Sequence, residues 1–242
     1  MNEAASMPRT ARVAREAVDA GIVSSATVLD GGSTDATASI ARDAGIEVLA
    51  VSAVMPHLGP VLGKGDSLFR GVHSVEADWY VFLDADIGNI ALRHIAALTD
   101  RAGRGDVVLV KGGFLRIDEE GRPRQIPGGR VTEEVARPLL AMVAPVLTGF
   151  SQPLSGQVAI RADVARALEF VTGYGVEIAM LLDVWRRQGA TALAEADMGE
   201  IQNRWKPDGA LDEVRDQVLA AASLRGLGEV GRVHPMVRTR TP

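Results

Sequence analysis

The chain has 242 residues, 47% of them hydrophobic, and a formal net charge of −5 from 26 basic and 31 acidic side chains; this suits a single domain, and the lack of a basic block argues against a nucleic-acid coat. The absence of cysteine excludes disulfides, thiolate zinc sites and a cysteine nucleophile, no stretch reaches the ~20 apolar residues of a membrane span, and Met1 to Thr10 lacks the apolar centre of a signal peptide. Aromatics, at 4%, are too sparse for base-stacking platforms, so the expectation is a cytoplasmic protein with neither nucleic-acid nor membrane partners.

Read in chain order, the apolar spacing predicts a helix over Ala11 to Ala20 and a short strand over Ala26 to Leu29 that stops at Asp30. A Gly31-Gly32-Ser33 turn follows, then a helix over Thr34 to Ala44 ended by Gly45, and a strand over Ile46 to Val51. Asp66 to Val75 reads as a helix. Trp79 to Leu83 is the clearest strand and ends at Asp84; Ile90 to Ala102 is helical and Val107 to Lys111 strand-like. Alternation of strand and helix from Val28 to Val110 predicts a parallel, three-layer α/β sheet. Ligands of such sheets sit at the carboxyl ends of the strands, so the loops after Leu29 and Leu83 should face one. Beyond this the pattern is looser: one or two helices over Val131 to Leu147, interrupted at Pro138 and Pro145, then helices over Val176 to Gln188 and Asp212 to Leu224, and a loose tail from Arg232.

Five stretches could carry chemistry. Asp30-Gly31-Gly32-Ser33-Thr34-Asp35 puts a carboxylate at a strand end, where it could accept hydrogen bonds from a base or ribose, or simply serve a helix start. Asp84-Ala85-Asp86 sets two carboxylates on one side of extended chain, where a divalent cation could clamp a diphosphate. Gly59 to Gly65, containing Gly63 and Lys64, precedes a helix and could hold phosphate oxygens, but its spacing is not that of a Walker loop. Gly128-Gly129-Arg130-Val131-Thr132-Glu133 is either an anion site or a helix capped by Thr132 or Glu133. Glu177, in Gly173-Tyr174-Gly175-Val176-Glu177, opens a helix and is either a sugar-hydroxyl acceptor or a dipole-favoured acid. The four histidines show no metal-type spacing, and His73 and His94 are expected on helix surfaces.

Taken together and in this order, the motifs resemble the retaining glycosyltransferases of the GT-A fold, and among them the glucosyl-3-phosphoglycerate synthases. Ala136 to Leu140 and Gln152-Pro153-Leu154-Ser155-Gly156 add to the likeness, which runs from about Asn2 to Leu224. The resemblance implies a Rossmann-like three-layer sandwich, a mostly parallel sheet with helices on both faces. It further implies one domain over 1–228 (nucleotide-binding half 1–112, acceptor-binding half 113–228) with a tail over 229–242. The implied reaction moves glucose from UDP-glucose to the 2-hydroxyl of 3-phosphoglycerate, with retention, Mg²⁺ as cofactor (Mn²⁺ as an alternative) and a homodimeric enzyme. Asp30, Ser33, Gly63, Lys64, Asp84, Ala85 and Glu177 would bind the nucleotide sugar. Gly129, Arg130, Val131 and Thr132 would bind the acceptor, and Asp86 and Asn203 the metal, with Asp86, Glu177 and Lys64 central to catalysis. Alternatives of the same fold are a GDP-mannose donor, another acceptor, or a binding protein with impaired catalysis.

Three departures from the family pattern bear on these expectations. Asn203 stands where the family has a metal-ligating His, which implies a weaker site biased towards Mg²⁺ over Mn²⁺, and nearby Trp205 replaces a polar residue used around the acceptor. Gln157 stands where a Glu is usual after Ser-Gly, so hydrogen bonding is kept and charge lost. Met1-Asn2-Glu3-Ala4 resembles the stretch that follows the family's first strand, and the apolar strand itself is not in this sequence. Without it, unpaired strand edges and an apolar slot are expected.

Overall fold

The apolar stripes found in the sequence are the ones the chain buries. In the computed structural model, which describes residues 1–202, 208–225 and 237–238, helix α1 covers Met7–Asp19 and buries Met7, Ala11, Val13 and Ala17. It starts four residues before the expected Ala11, because Pro8 falls in its first turn, where a missing N–H costs nothing. Strand β1 (Thr27–Asp30), helix α2 (Thr37–Asp43), strand β2 (Glu47–Ala50), helix α3 (Lys64–Val72), strand β3 (Trp79–Phe82) and helix α4 (Leu92–Ala102) follow, all close to expectation. Strand β4 (Leu109–Ile117) continues past Lys111 as a long, largely buried strand. The stretch expected as one or two helices opens with a π turn at Thr132–Ala136, continues as α5 (Arg137–Val143), and breaks at Pro145.

The rest of the sheet was not apparent from periodicity. Strand β5 (Val158–Arg161), helix α6 (Ala162–Ala167), strand β6 (Phe170–Val171) and strand β7 (Leu193–Gln202) join helices α7 (Val176–Gln188) and α8 (Asp208–Ser223). The parallel pairs β1–β2 and β4–β7 fit the expected architecture, but the order β3-β5-β4-β7 inserts β5 antiparallel between β3 and β4, so the sheet is mixed. Strand β8 (Val237–Arg238), in the expected loose tail, pairs antiparallel with β6. His94 corrects the surface expectation: it is fully buried, with Nδ1 accepting from the Ala91 N–H at 3.1 Å. Burial pushes its pKa down to about 4, with the nearby Arg93 charge adding to the effect. His73 is half-buried, its ring 4.3 Å from that of Phe69.

Between β1 and β3 the sheet is open. Among the described residues β1 pairs with β2 and β3 with β5, and the free edges of both line one cavity of about 1670 Å³. The cavity touches every residue over 24–29 and over 77–86. Alternate residues of a strand point to opposite faces, so a cavity that meets consecutive ones runs along the edges. The two strands run the same way. Gly31, after β1, lies by Ser67 near the start of α3, and Asp84, after β3, is bonded to Lys64 at that same start. At the other end of α3, the Tyr80 hydroxyl donates to the Val72 carbonyl at 2.8 Å. Residues of α1 (Met7, Ala11) and α3 (Leu68, Gly71) close the two faces of the void. With this void along one edge, β1 is only half-buried.

Candidate active site

The same cavity reaches the carboxyl ends of β1 and β3, where the acidic and glycine-rich motifs converge. Gly63 and Gly65 bring α3 there by close approach. Gly63 has φ +92° with Gly173 packed against it, and a Cβ on Gly65 would collide with the Val171 carbonyl. Lys64, at the first position of α3, is thereby aimed between two carboxylates. Its Nζ lies 2.5 Å from Asp84 Oδ1 and 2.7 Å from Glu177 Oε1. Burial opposes the lysine charge, but Asp84 and then Glu177 outweigh it and raise the pKa well above the usual lysine range. Glu177 sits in the first turn of α7, 7% exposed. It enters the site because Gly175 lets the α7 start pack on α8: a Cβ there would strike the Gln217 backbone.

Asp84 is fixed from both sides. Its N–H donates to Gln157 Oε1 at 2.9 Å, and Gln157 Nε2 donates to its Oδ2 at 3.2 Å. Gln157 thus retains hydrogen bonding, as the second departure anticipates, with an amide that serves Asp84 as acceptor and donor at once. Gly156 completes the wall, since a Cβ on it would overlap the Asp84 carboxylate and the Lys64 ammonium. Asp86, two residues on, lines the cavity and makes no hydrogen bond or ion pair among the described residues. Ala85 offers its carbonyl to Thr10 Oγ1 at 3.4 Å.

In the first motif the side chains are partly spent on local structure. Asp30 Oδ1 accepts from the Ser33 N–H at 3.0 Å, Ser33 Oγ accepts from the Asn2 N–H at 3.1 Å, and Asp35 serves the start of α2 through Thr37. Gly128, Gly129, Arg130, Val131 and Thr132 also line the cavity. Gly129 needs φ +82° there, Thr132 is buried, and Arg130 lies 3.7 Å from Glu134. Of the proposed caps, neither Thr132 nor Glu133 bonds the helix backbone; Glu133 pairs with Arg137 at 2.9 Å.

Sequence reasoning did not single out Arg116 and Arg124, which line the same cavity, Arg116 beside Gly129. Burial lowers the Arg116 pKa; Asp84 and Asp86 oppose this and Arg124 reinforces it. Carrying the strand on to Ile117 would have brought Arg116 into it. Asn203 and Trp205 lie outside the described residues.

The cavity therefore gathers Arg116, Arg124 and Arg130, the Asp84–Lys64–Glu177 cluster and the Asp86 carboxylate on one lining, and Asp84 and Asp86 both act electrostatically on Arg116. Among the described residues no group of three His, Asp or Glu side chains could hold a metal. Asp86 still suits a hard cation that takes one or two protein carboxylates and completes its shell with phosphate oxygens and water.

No family model matches the chain. It is 37% identical over 173 residues to a glucosyl-3-phosphoglycerate synthase of Petrotoga mobilis, covering 71% of this chain and 53% of that protein. It is 36% identical over 214 residues to the one of Mycolicibacterium smegmatis, covering 87% and 71%. The chain thus spans between half and about seven-tenths of the length of these relatives. Among solved structures, glucosyl-3-phosphoglycerate synthase from Mycobacterium tuberculosis in complex with Mn²⁺, UDP-glucose and phosphoglyceric acid aligns with a TM-score of 0.85 at 35% identity, covering 96% of this chain and 79% of that one. Mannosyl-3-phosphoglycerate synthase from Rubrobacter xylanophilus aligns with a TM-score of 0.86 at 29% identity, covering 93% and 70%.

Proposed function

This chain belongs to the glucosyl-3-phosphoglycerate synthase family and has its GT-A fold, and from that premise we propose that it transfers glucose from UDP-glucose to the 2-hydroxyl of 3-phosphoglycerate. The observation that carries this reading is the Lys64 ammonium held between Asp84 and Glu177, in a cavity that Arg116 and Arg130 also line. Both substrates are polyanions, and an acidic chain needs local cations and N–H groups to hold them. Asp30 and Ser33, at the end of β1, are assigned to the base and ribose of the nucleotide, together with Gly63, Asp84 and Ala85. Gly129, Arg130, Val131 and Thr132 take the acceptor, its phosphate towards the arginines.

Asp86, with Asn203, would hold the divalent ion, Mg²⁺ or Mn²⁺, whose contribution is to neutralise the diphosphate as it leaves. The chain's own residues do the rest. Glu177, paired with Lys64, accepts glucose hydroxyls, which orients the sugar. Lys64 brings positive charge to the cluster against which the leaving group develops its negative charge. The bond from the anomeric carbon to the β-phosphate oxygen breaks, and the acceptor 2-hydroxyl oxygen bonds that carbon on the same face. The hydroxyl proton passes to the departing phosphate, so configuration is retained and no pair of glycosidase carboxylates is required. A cytoplasmic, homodimeric enzyme of one catalytic domain over 1–228 is part of the same reading.

The test is product formation from UDP-glucose and 3-phosphoglycerate with Mg²⁺, comparing the intact chain with Asp86→Ala. A loss of about 100-fold or more in the variant is expected; equal rates would remove the metal role of Asp86. The likeness to a mannosyl-3-phosphoglycerate synthase favours a second donor reading, so GDP-mannose belongs in the same assay. Nucleotide-sugar binding without turnover of either donor would instead mark an impaired homologue.

A further inference from the structure

The wall formed by Gly156 and Gln157 is held from behind by a lysine that the proposed chemistry leaves unused. Lys111 stands in β4, 1% exposed, in register with Val158 of β5 and Glu195 of β7. Its ammonium donates to the Ser155 carbonyl at 2.5 Å, its one hydrogen bond or ion pair among the described residues. The register neighbour Glu195 gives its carboxylate to the N–H and hydroxyl of Ser151 instead. The charged groups that face Lys111 are Glu177 from α7, Lys64 from α3, Asp84 beyond β3 and Glu195 from β7. Burial pushes its pKa down to about 8, against the pull of Glu177.

Burying an amine on a single carbonyl is costly, and a methionine would fill the same space without that cost. What the amine grips explains its presence. The Ser155 N–H donates to the Gln152 carbonyl at 2.9 Å, and Ser155 Oγ accepts from the Gln157 N–H at 3.1 Å, making a tight turn. That turn presents Gly156 against Lys64 and Asp84 and presents the Gln157 amide to both ends of Asp84. We propose that Lys111 is a positioning residue: by gripping the Ser155 carbonyl it locks the 155–157 turn against Asp84, and so fixes the Asp84–Lys64–Glu177 cluster in its binding geometry.

Lys111→Met, which keeps length and removes the donor, tests this by hydrogen exchange on the whole chain. The Asp84 amide, protected by Gln157 Oε1, should exchange about 10-fold faster, while amides of the β4–β5 ladder keep their protection. The second measurement rests on the transferase reading: kcat/KM for glucosyl transfer should fall about 10-fold. Combining Lys111→Met with Gln157→Ala should then cost no more than the larger single change, because both act through one turn. An unchanged Asp84 amide, uniform loosening of the whole sheet, or additive kinetic losses would each overturn the role. If Lys111→Met fails to fold, Lys111→Gln, which keeps a donor on a shorter stem, is read by the same measurements. Local loosening of Asp84 in a wild-type chain that turns over neither donor would uphold Lys111 and sink the transferase reading alone.

Discussion

The two halves of the central layer are built differently. In β5, β4 and β7 the chain is paired strand to strand, and Val110, Ala159 and Ile160 are fully buried. In β1 and β3 each strand has a partner on one side and the cavity on the other, and β1 is only half-buried. The groups that hold the site rigid (Lys111, Ser155 and Gln157) stand on or beside the paired half, whereas Asp30 and Ser33 hang from the open half. The difference teaches that the end assigned to the sugar and phosphate is preorganised by packing, while the end assigned to the nucleoside depends on a strand with one edge unpaired among the described residues.

The strongest way to probe the comparison is to cut the link between the halves. Lys64→Ala leaves Asp84 and Glu177 without their cation, and kcat/KM for glucosyl transfer should fall about 10³-fold with the fold intact by circular dichroism. Retained activity would show that the cluster is only structural. Truncations on each side come next. Ile160→Ala should lower the unfolding free energy by about 3 kcal/mol, and Val28→Ala by about 1 kcal/mol or less. Equal losses in urea titrations would erase the distinction. A third test fills the bare edges: an apolar stretch of about five residues, joined ahead of Met1, should raise the melting temperature and protect the β1 and β3 amides. A Gly/Ser stretch of the same length should do neither, and equal effects would mean the edges are not free to pair.

The smallest effect concerns pH. Folded His94 titrates near 4 and an ordinary histidine near 6.5, so between those values the unfolded chain binds more protons. Stability contributed by neutral His94 is complete above that window and is lost as pH falls through it. Replacing His94 with Phe should flatten the acid limb of a melting-temperature profile between pH 6.5 and 4; an unchanged limb would show that other groups set it.

How much of this the sequence disclosed follows from the range of the interactions. Helices such as α7 were legible end to end, because Gly189 and a 3.6-residue stripe mark them locally. The clustering of Lys64, Asp84 and Glu177 was legible only as motif order, since the ion pairs join residues far apart in the chain. Strand β5 escaped notice because four residues carry too little periodicity, and it is defined by pairing with β3 and β4 rather than by its own pattern. In the sequence Lys111 only ends a strand-like run, and His94 is expected on a helix surface. Only tertiary packing buries them, and no local signal announces a buried amine or imidazole.

The most direct measurement is a crystal soaked with UDP-glucose and Mg²⁺. The account predicts the diphosphate and its cation beside Asp86, with Lys64 and Asp84 flanking them and the glucose hydroxyls on Glu177. A nucleotide sugar seated anywhere else on the chain, with the Asp84–Lys64–Glu177 cluster untouched, would contradict it.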